Sequence, residues 1–291
     1  AFLENPTGEK IGVNVNFFNG RWFVFSGGAV MVGMVREEIK EAGFSYDIFL
    51  PLFGRIEHTT GALNEKFGKH SLKRIGDVLH LSVNAGSLRL DLKMEPLKSP
   101  VSAAWGHVEG YSLPRLKAHG HMTVSGGTKE EVSGTAALTH IWSSSLGEDQ
   151  DSFVFQLDDG TDVSLVVTHD PQGKGPLDGS HARVIPSTLS PGGRGGGPLP
   201  RSIARGAEGV GFTVLSWWTS PKSRRKYPAS WELNLPSQGI ALYITPTIED
   251  QELRAMGISY WIGTCRVRGT SQGKPVEGRA YAVLMGYAKS H

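Results

Sequence analysis

Two stretches of the chain carry the same glycine-centred hairpin pattern, close to half the chain length apart. In residues 121–136 and 265–280, Val124 and Gly126 match Val267 and Gly269. Val132, Gly134 and Ala136 match Val276, Gly278 and Ala280, with one residue inserted in the turn between. Each copy reads as a strand, a polar turn, and a second strand entered through Gly-x-Ala. The first glycine permits a bend or a positive φ as the strand leaves its sheet. The second glycine and the alanine leave room for a neighbouring side chain to cross. A hairpin repeated at almost half the chain length favours duplication of one β unit, the other reading being two unrelated hairpins with common turn chemistry. A chain of 291 residues accommodates two domains of roughly 100–200 residues each, placed at 1–150 and 151–291.

Period-2 alternation dominates the rest, as half-buried strands require. Strands are predicted over 13–17, over an apolar run at 22–35 bent or divided at Gly27, Gly28 and Gly33, and over 44–50, stopped by Pro51. Hairpin pairs are predicted at 78–84 with 87–94, around Ala85-Gly86, and at 152–157 with 162–168, around Asp158-Asp159-Gly160. Further strands follow at 212–218, 229–235, 240–245, 260–268 and 279–287. Residues 36–41 predict a short helix and 249–256 a helical turn. The 38 glycines and 16 prolines suit many short strands and tight turns. The reading is all-β: two lipocalin-like β-barrel or β-sandwich domains, related by duplication, with a ligand-sized interior.

Several function classes drop out. A net charge of +2 is too small for a nucleic-acid footprint. The basic cluster Lys222, Arg224, Arg225 and Lys226, between Pro221 and Pro228, reads as a solvated loop, with an anion or membrane-surface contact as the other reading. The single cysteine, Cys265, leaves no internal disulfide or zinc spacing and reads as a small buried hydrophobe. His119 and His121 share a strand face without an evident third ligand, so no metal is expected. Residues 187–197 are a glycine-rich loop, but no Gly-Lys-Ser/Thr follows to make a phosphate cradle. No nucleophile elbow and no cofactor motif is found. No apolar run approaches a membrane span. Residues 1–10 lack the pattern of a secretory leader, so either none is present or it has been removed, and the compartment stays open. Oligomeric state is not legible.

The second half resembles the C-terminal lipocalin-like domain of the family that includes the carotenoid hydratases (hydroxyneurosporene synthases) and the AttH-like proteins. The resemblance is carried by Trp218-Thr-Ser-Pro221, Tyr227-Pro-Ala-Ser-Trp-Glu-Leu233, Asp250-Gln-Glu-Leu253, Tyr260-Trp-Ile-Gly263, Val276-Glu-Gly-Arg-Ala-Tyr281 and Met285-Gly-Tyr287. The family's first domain ends in a Gly, His and Trp segment, and Gly134, His140 and Trp142 fill that slot. Thr139 stands where the family often has Asp, and the family's acidic, tryptophan-rich opening is not found. Fungal pericyclases of the Diels–Alderase type share this fold family.

That resemblance implies a cofactor-independent pericyclase folding a hydrophobic polyene or terpenoid in an aromatic pocket. Such a reaction needs positioning and a donor or two, which rigid aromatic walls and neutral polar groups supply. The candidate walls are Phe18, Trp142, Trp217, Trp218, Tyr260, Trp261 and Tyr281. Adjacent strand residues face opposite ways, so one of Trp217 and Trp218 belongs to the interior and the other outside. The candidate polar groups are His140, Asn16 and Asp47. Two alternatives stand beside this reading: an isoprenoid hydratase or isomerase, which needs a carboxylic acid in the pocket, and a non-catalytic binder of a hydrophobic ligand.

Overall fold

A computed structural model of the chain describes residues 1–22, 25–49, 56–58, 63–104, 108–124, 126–143, 150–169, 180–191, 201–204, 209–255 and 258–287. It is nearly all β, in two curled, near-barrel sheets, the expected pair of lipocalin-like domains. The first sheet holds β1 (Phe2–Glu4), β2 (Lys10–Trp22), β3 (Phe25–Arg36), β4 (Glu41–Phe49), β5 (Ile56–His58), β6 (Asn64–Phe67), β7 (His70–Ile75), β8 (Val78–Ala85), β9 (Leu88–Pro96), β10 (Val101–Ser102), β11 (Glu109–Val124) and β12 (Glu130–Trp142). The second holds β13 (Gln150–Leu157), β14 (Asp162–Thr168), β15 (His181–Ile185), β16 (Arg201–Ala204), β17 (Gly211–Thr219), β18 (Lys226–Leu235), β19 (Ile240–Pro246), β20 (Glu252–Ala255), β21 (Ile258–Ser271) and β22 (Lys274–Leu284).

The strand orders are β4-β3-β2-β1-β12-β11-β9-β8-β7-β6-β5 and β16-β15-β14-β13-β22-β21-β19-β18-β17, with β10 on β11 and β20 on β21. The duplication is therefore one of topology. In each sheet the last strand closes onto the first, and the strand before it carries a short extra partner. The repeated hairpin is β11–β12 in one sheet and β21–β22 in the other. Gly134 faces Leu3 and Gly278 faces Leu157 across equivalent closures. A Cβ at Gly134 would strike the Phe2 carbonyl oxygen, and one at Gly278 the Gln156 carbonyl oxygen. The space these glycines leave is filled by backbone, not by a crossing side chain. The other matched pair has diverged. Gly126 lies in the turn at φ +73°, whereas a Cβ at Gly269 would strike the Ala241 carbonyl oxygen within the sheet.

The two predicted helical pieces are not helices. Residues 37–40 form the turn of the β3–β4 hairpin, whose register closes at Arg36–Glu41, with Lys40 at φ 53°. So short a segment cannot offset the cost of helix nucleation, while the strands on both sides gain a ladder. Glu252–Ala255 is strand β20, paired with β21. Nor do Gly27, Gly28 and Gly33 break the 22–35 run. They lie inside β3, and Gly33 makes room for the Phe44 ring, which a Cβ would meet at 2.8 Å. Most of the 187–197 loop lies outside the described residues.

Two compact units result: Ala1–Leu97 with Leu116–Ala136, and Lys98–Arg115 with Ala137–His291. In the first, Val30, Val32, Phe67, Leu79, Leu90 and Leu92 are buried on the inner face. In the second, the interior is closed by aromatic rings. Phe153 lies 5.3 Å from Trp231, 5.4 Å from Phe212 and 5.8 Å from Phe155, and Trp231 lies 6.4 Å from Trp261. These rings and their buried neighbours form the core of this unit.

The segment Lys98–Arg115 is pinned to the second unit by charge. Lys98 Nζ lies 2.7 Å from Asp162 Oδ2 and donates to the carbonyls of Gly160 at 2.6 Å and Ile185 at 3.1 Å. Arg115 donates from Nε to Asp162 Oδ1 at 2.9 Å and from Nη2 to the Leu157 carbonyl at 2.8 Å. Burial pushes the Lys98 ammonium down and the Asp162 carboxyl up. Two cations on one carboxylate, with backbone acceptors for the remaining protons, are what make such a buried group tolerable.

Candidate functional site

The inner face of the first unit carries a carboxylate against an aromatic wall. Residues directly opposite on antiparallel strands share a face. Asp47 of β4 faces Val30 of β3, and Val30 faces Phe17 of β2, so all three point inward with the fully buried Val30. The β6–β7 turn brings in the partner. Gly68, at φ +56°, adopts a conformation in which a Cβ would be strained, and that Cβ would meet the Phe49 ring at 2.8 Å. The chain then re-enters the sheet at His70, on the inward parity with Leu72.

His70 is fully buried, with side-chain exposure 0%, whereas Asp47 keeps 33%. His70 Nε2 lies 2.7 Å from Asp47 Oδ2. The backbone N–H of Asn84 donates to His70 Nδ1 at 3.3 Å. That contact assigns the ring proton to Nε2, which donates to the carboxylate. Lys69 Nζ stands 3.3 Å from the same oxygen. Phe49 meets His70 edge-on at 6.2 Å and Phe67 at 5.8 Å, and Phe17 meets Phe67 at 5.5 Å. Burial pushes the Asp47 carboxyl up, but the hydrogen bonds from His70 and Lys69 outweigh it and hold the group below the ordinary carboxylate range. The result is an oriented, partly accessible carboxylate beside apolar rings, placed to accept a proton from an activated group or from water that attacks one.

The other polar candidates lie elsewhere. Asn14 and Asn16 share one face of β2, as expected, and Asn16 Nδ2 donates to Asn14 Oδ1. Asn16 faces Met31 and Phe18 faces Ala29, the parity opposite to Val30. Asn16 and Phe18 are therefore on the outer face with the exposed Tyr46 and Ile48, and cannot act with Asp47 in one cavity. His140 and Trp142 belong to the second unit. Their rings meet edge-on at 5.5 Å, Tyr111 meets His140 at 5.5 Å, and Trp142 Nε1 donates to Glu109 Oε2 at 3.0 Å. His140 Nδ1 is buried without a hydrogen-bond partner.

The expected walls divide by parity. Trp218 packs against the core of the second unit, and Trp217 is 38% exposed. Trp261 is 1% exposed, within the core, and its Nε1 donates to the Glu249 carbonyl at 2.7 Å. Its ring is a packing element rather than a wall that a ligand reaches. Tyr281 faces Thr264 and Val154, on the opposite side of β22 from the core residues Ala280 and Ala282. Tyr260 precedes Trp261 and takes the opposite face of β21.

The second unit also holds a closed polar network. Asp151, 2% exposed, accepts from the Tyr287 hydroxyl at 2.6 Å and lies 3.3 Å from His169 Nε2. Burial pushes Asp151 up. Glu252 accepts from Tyr227 at 3.0 Å and from Ser220 at 2.6 Å, and the Tyr227 ring lies tilted 5.6 Å from that of Tyr287. Gln251 bonds Thr264 and fills the space that a Cβ at Gly263 would take. The motifs quoted for the family resemblance thus converge on buried contacts that hold this unit together.

Among the described residues no three His, Cys, Asp or Glu side chains converge to hold a metal ion. His70, Phe17, Phe67 and Asp151 were not singled out from the sequence. Alternation alone marks His70, since it takes the inward parity of Leu72, but its partner lies across a fold that the sequence does not display.

The profile of the AttH-like family matches residues 51–287. No curated protein matches the chain by sequence. An AttH candidate from Nitrosomonas europaea has a similar structure, with a TM-score of 0.80 at 22% identity, covering 99% of this chain and 90% of that one. Kievitone hydratase from Nectria haematococca aligns with a TM-score of 0.77 at 15% identity, covering 99% and 87%. CghA with Sch210972 aligns with a TM-score of 0.48 at 11% identity, covering 100% and 88%.

Proposed function

The chain belongs to the AttH-like family, and on that premise we propose that it is an enzyme of proton transfer on a hydrophobic, isoprenoid-like small molecule. The reaction class is hydration or double-bond isomerisation, at the inner face of the first unit. The observation that carries this is the 2.7 Å contact between the part-exposed Asp47 and the buried His70 beside Phe17, Phe49 and Phe67. A pericyclic reaction develops little charge for an oriented carboxylate to handle, whereas proton transfer can use one directly. The likeness of the whole fold to a protein named as a hydratase supports the same class.

The low Asp47 pKa fits a base better than the alkene-protonating acid that the hydratase reading first calls for. In hydration, Asp47 takes a proton from water, the hydroxide adds to the electron-poor carbon of an activated double bond, and the carbanion formed takes the proton back. In isomerisation, Asp47 takes an allylic proton that is also α or γ to a carbonyl, the charge passes into that carbonyl, and the proton is returned at the far end of the allyl system. His70 orients the carboxylate, and the rings exclude water from the apolar remainder of the substrate. Incubation with prenylated enones and with polyenes conjugated to a carbonyl, whose double bond is electron-poor, tests this. Product gaining one water marks hydration, and product of unchanged mass marks isomerisation. Binding without product above the spontaneous rate assigns the protein as a binder.

The pericyclase reading rests on a different observation, the unpartnered His140 Nδ1 between Tyr111 and Trp142. A ring nitrogen set among aromatic rings and free to donate suits carbonyl polarisation. Under that reading, His140→Ala abolishes turnover and Asp47→Asn causes a modest loss. Under the leading reading the order is reversed.

A further inference from the structure

The basic cluster first read as a solvated loop is a built surface. The turn between β17 and β18 is held from beneath. Ser220 Oγ accepts the backbone N–H of Lys222 at 3.1 Å and of Ser223 at 3.2 Å, and its own hydroxyl donates to the buried Glu252 at 2.6 Å. Ser223 donates to the other oxygen of Glu252. Ser220 and Arg225 close the turn through a backbone bond of 2.8 Å, and Arg224 sits at φ 63° within it. Arg225 turns inward and donates to the Tyr287 carbonyl.

What this turn presents is cationic and aromatic together. Lys222, Arg224, Lys226 and Arg254 are exposed. The Arg254 guanidinium reaches the Lys222 carbonyl at 3.5 Å, which places it at the turn. Lys222 pairs with Asp250 at 2.8 Å; the other three make no ion pair among the described residues. Lys226 Nζ lies 5.3 Å above the ring of Trp217, which is 38% exposed. A β-bulge between Val214 and Ser216 leaves Leu215 out of the ladder, half exposed on the same edge strand. Trp217 meets the buried Tyr287 edge-on at 6.2 Å on one side and keeps its other side to solvent.

We propose that this turn and the bulged edge of β17 form an interfacial patch that docks the second unit on an anionic lipid bilayer. The occupant is chosen by complementarity. Indole and isobutyl groups favour the headgroup boundary, where an amphipathic ring has both an apolar and a wet side. Basic side chains around them gain from anionic headgroups within a Debye length. A preformed turn loses little entropy on docking. The patch is independent of the Asp47 site and stands or falls separately from the function proposed for it.

The test is sedimentation of the intact protein with vesicles of phosphatidylcholine, with and without phosphatidylserine. Binding is expected only with phosphatidylserine, weakening as salt is raised, with a blue shift of tryptophan emission. Each cation neutralised should weaken binding about fivefold, so Arg224→Gln with Lys226→Gln should lose more than tenfold. Trp217→Ala should weaken binding and remove most of the emission shift, while Trp142→Phe keeps both. Equal binding to the two vesicle types, no binding to either, or unchanged binding by the double variant would overturn the proposal. So would release by inorganic phosphate at matched ionic strength, which would mark a discrete anion site. Near-ultraviolet circular dichroism confirms that each variant is folded, and Trp217→Ala keeps the test open should the double variant not be.

Discussion

Asp47 Oδ2 lies 2.7 Å from Nε2 of His70, while the other ring nitrogen of that histidine is occupied by the backbone of Asn84. The imidazole therefore has one task, to hold one carboxylate oxygen in place. Asp47→Asn keeps the shape of the side chain and removes its capacity to take a proton. Turnover should fall by about 100-fold or more, with binding of the apolar substrate little changed, as steady-state kinetics and a ligand titration would show.

The pH dependence of that activity follows from the direction of the Asp47 shift. Its hydrogen bonds to His70 and Lys69 hold the folded-state pKa below the unfolded value of about 4. The ionised form persists down through that value, so kcat/KM should stay flat on the acid side to below about pH 4. By the same sign, the stability this group contributes is present above the unfolded pKa and is lost as pH falls through the folded one. An acid limb near pH 6 in the rate profile would remove Asp47 from the role of base.

Asp151 should behave in the opposite sense. Burial raises its folded-state pKa above the unfolded value of about 4. Its contribution is complete below the unfolded pKa and is lost as pH rises through the folded one. Asp151→Asn keeps an acceptor for the Tyr287 hydroxyl and removes the titration. Above about pH 4 the thermal midpoint of the variant should gain on that of the parent as pH rises through the raised pKa of Asp151. A constant difference between the two midpoints would show that this group does not titrate there.

Much of the fold was legible because alternation and turn chemistry are local. The Asp158-Asp159-Gly160 hairpin and the repeated Gly-x-Ala entry each sit where expected. The Trp217-Trp218 pair divides between outside and core as period 2 requires. The site was less legible because face is a relative property. Period 2 puts Asp47 with Ser45 and Asn14 with Asn16, but which face is inner depends on what the neighbouring strands bury. Asp47 proved to face Val30, and Asn16 to face Met31. His70 and Asp162 depend on partners distant in sequence, which no local pattern displays.

Asp162 illustrates such a dependence. With 1% exposure it meets Lys98 and Arg115 together. Asp162→Ala leaves the buried Lys98 and the part-buried Arg115 without their carboxylate and should cost about 3–5 kcal/mol in urea unfolding. Replacing Asp162 together with its more buried cation by apolar groups, Lys98→Met with Asp162→Leu, should cost less than the single change, because only the less buried Arg115 then lacks its carboxylate. Equal costs would mean that solvent reaches the cluster.

The matched glycines give a prediction that separates sequence alignment from structure. Gly134 and Gly278 do the same thing in the two sheets: each lets a neighbouring backbone carbonyl, of Phe2 or Gln156, come close at the closure. Backbone in a paired strand cannot move aside as a flexible side chain can, so Gly134→Ala and Gly278→Ala should each cost about 1–3 kcal/mol by forcing the closure apart. Gly126 and Gly269 also align, but only Gly269 lies against a carbonyl, that of Ala241; Gly126 has nothing within 4 Å and a φ of +73°. Gly126→Ala therefore carries only a conformational cost of about 1 kcal/mol, and Gly269→Ala should cost more. Urea unfolding of the four variants checks the order. Equal effects at Gly126 and Gly269 would mean that the aligned glycines share one role after all, and that the divergence seen between the two hairpins has no energetic consequence.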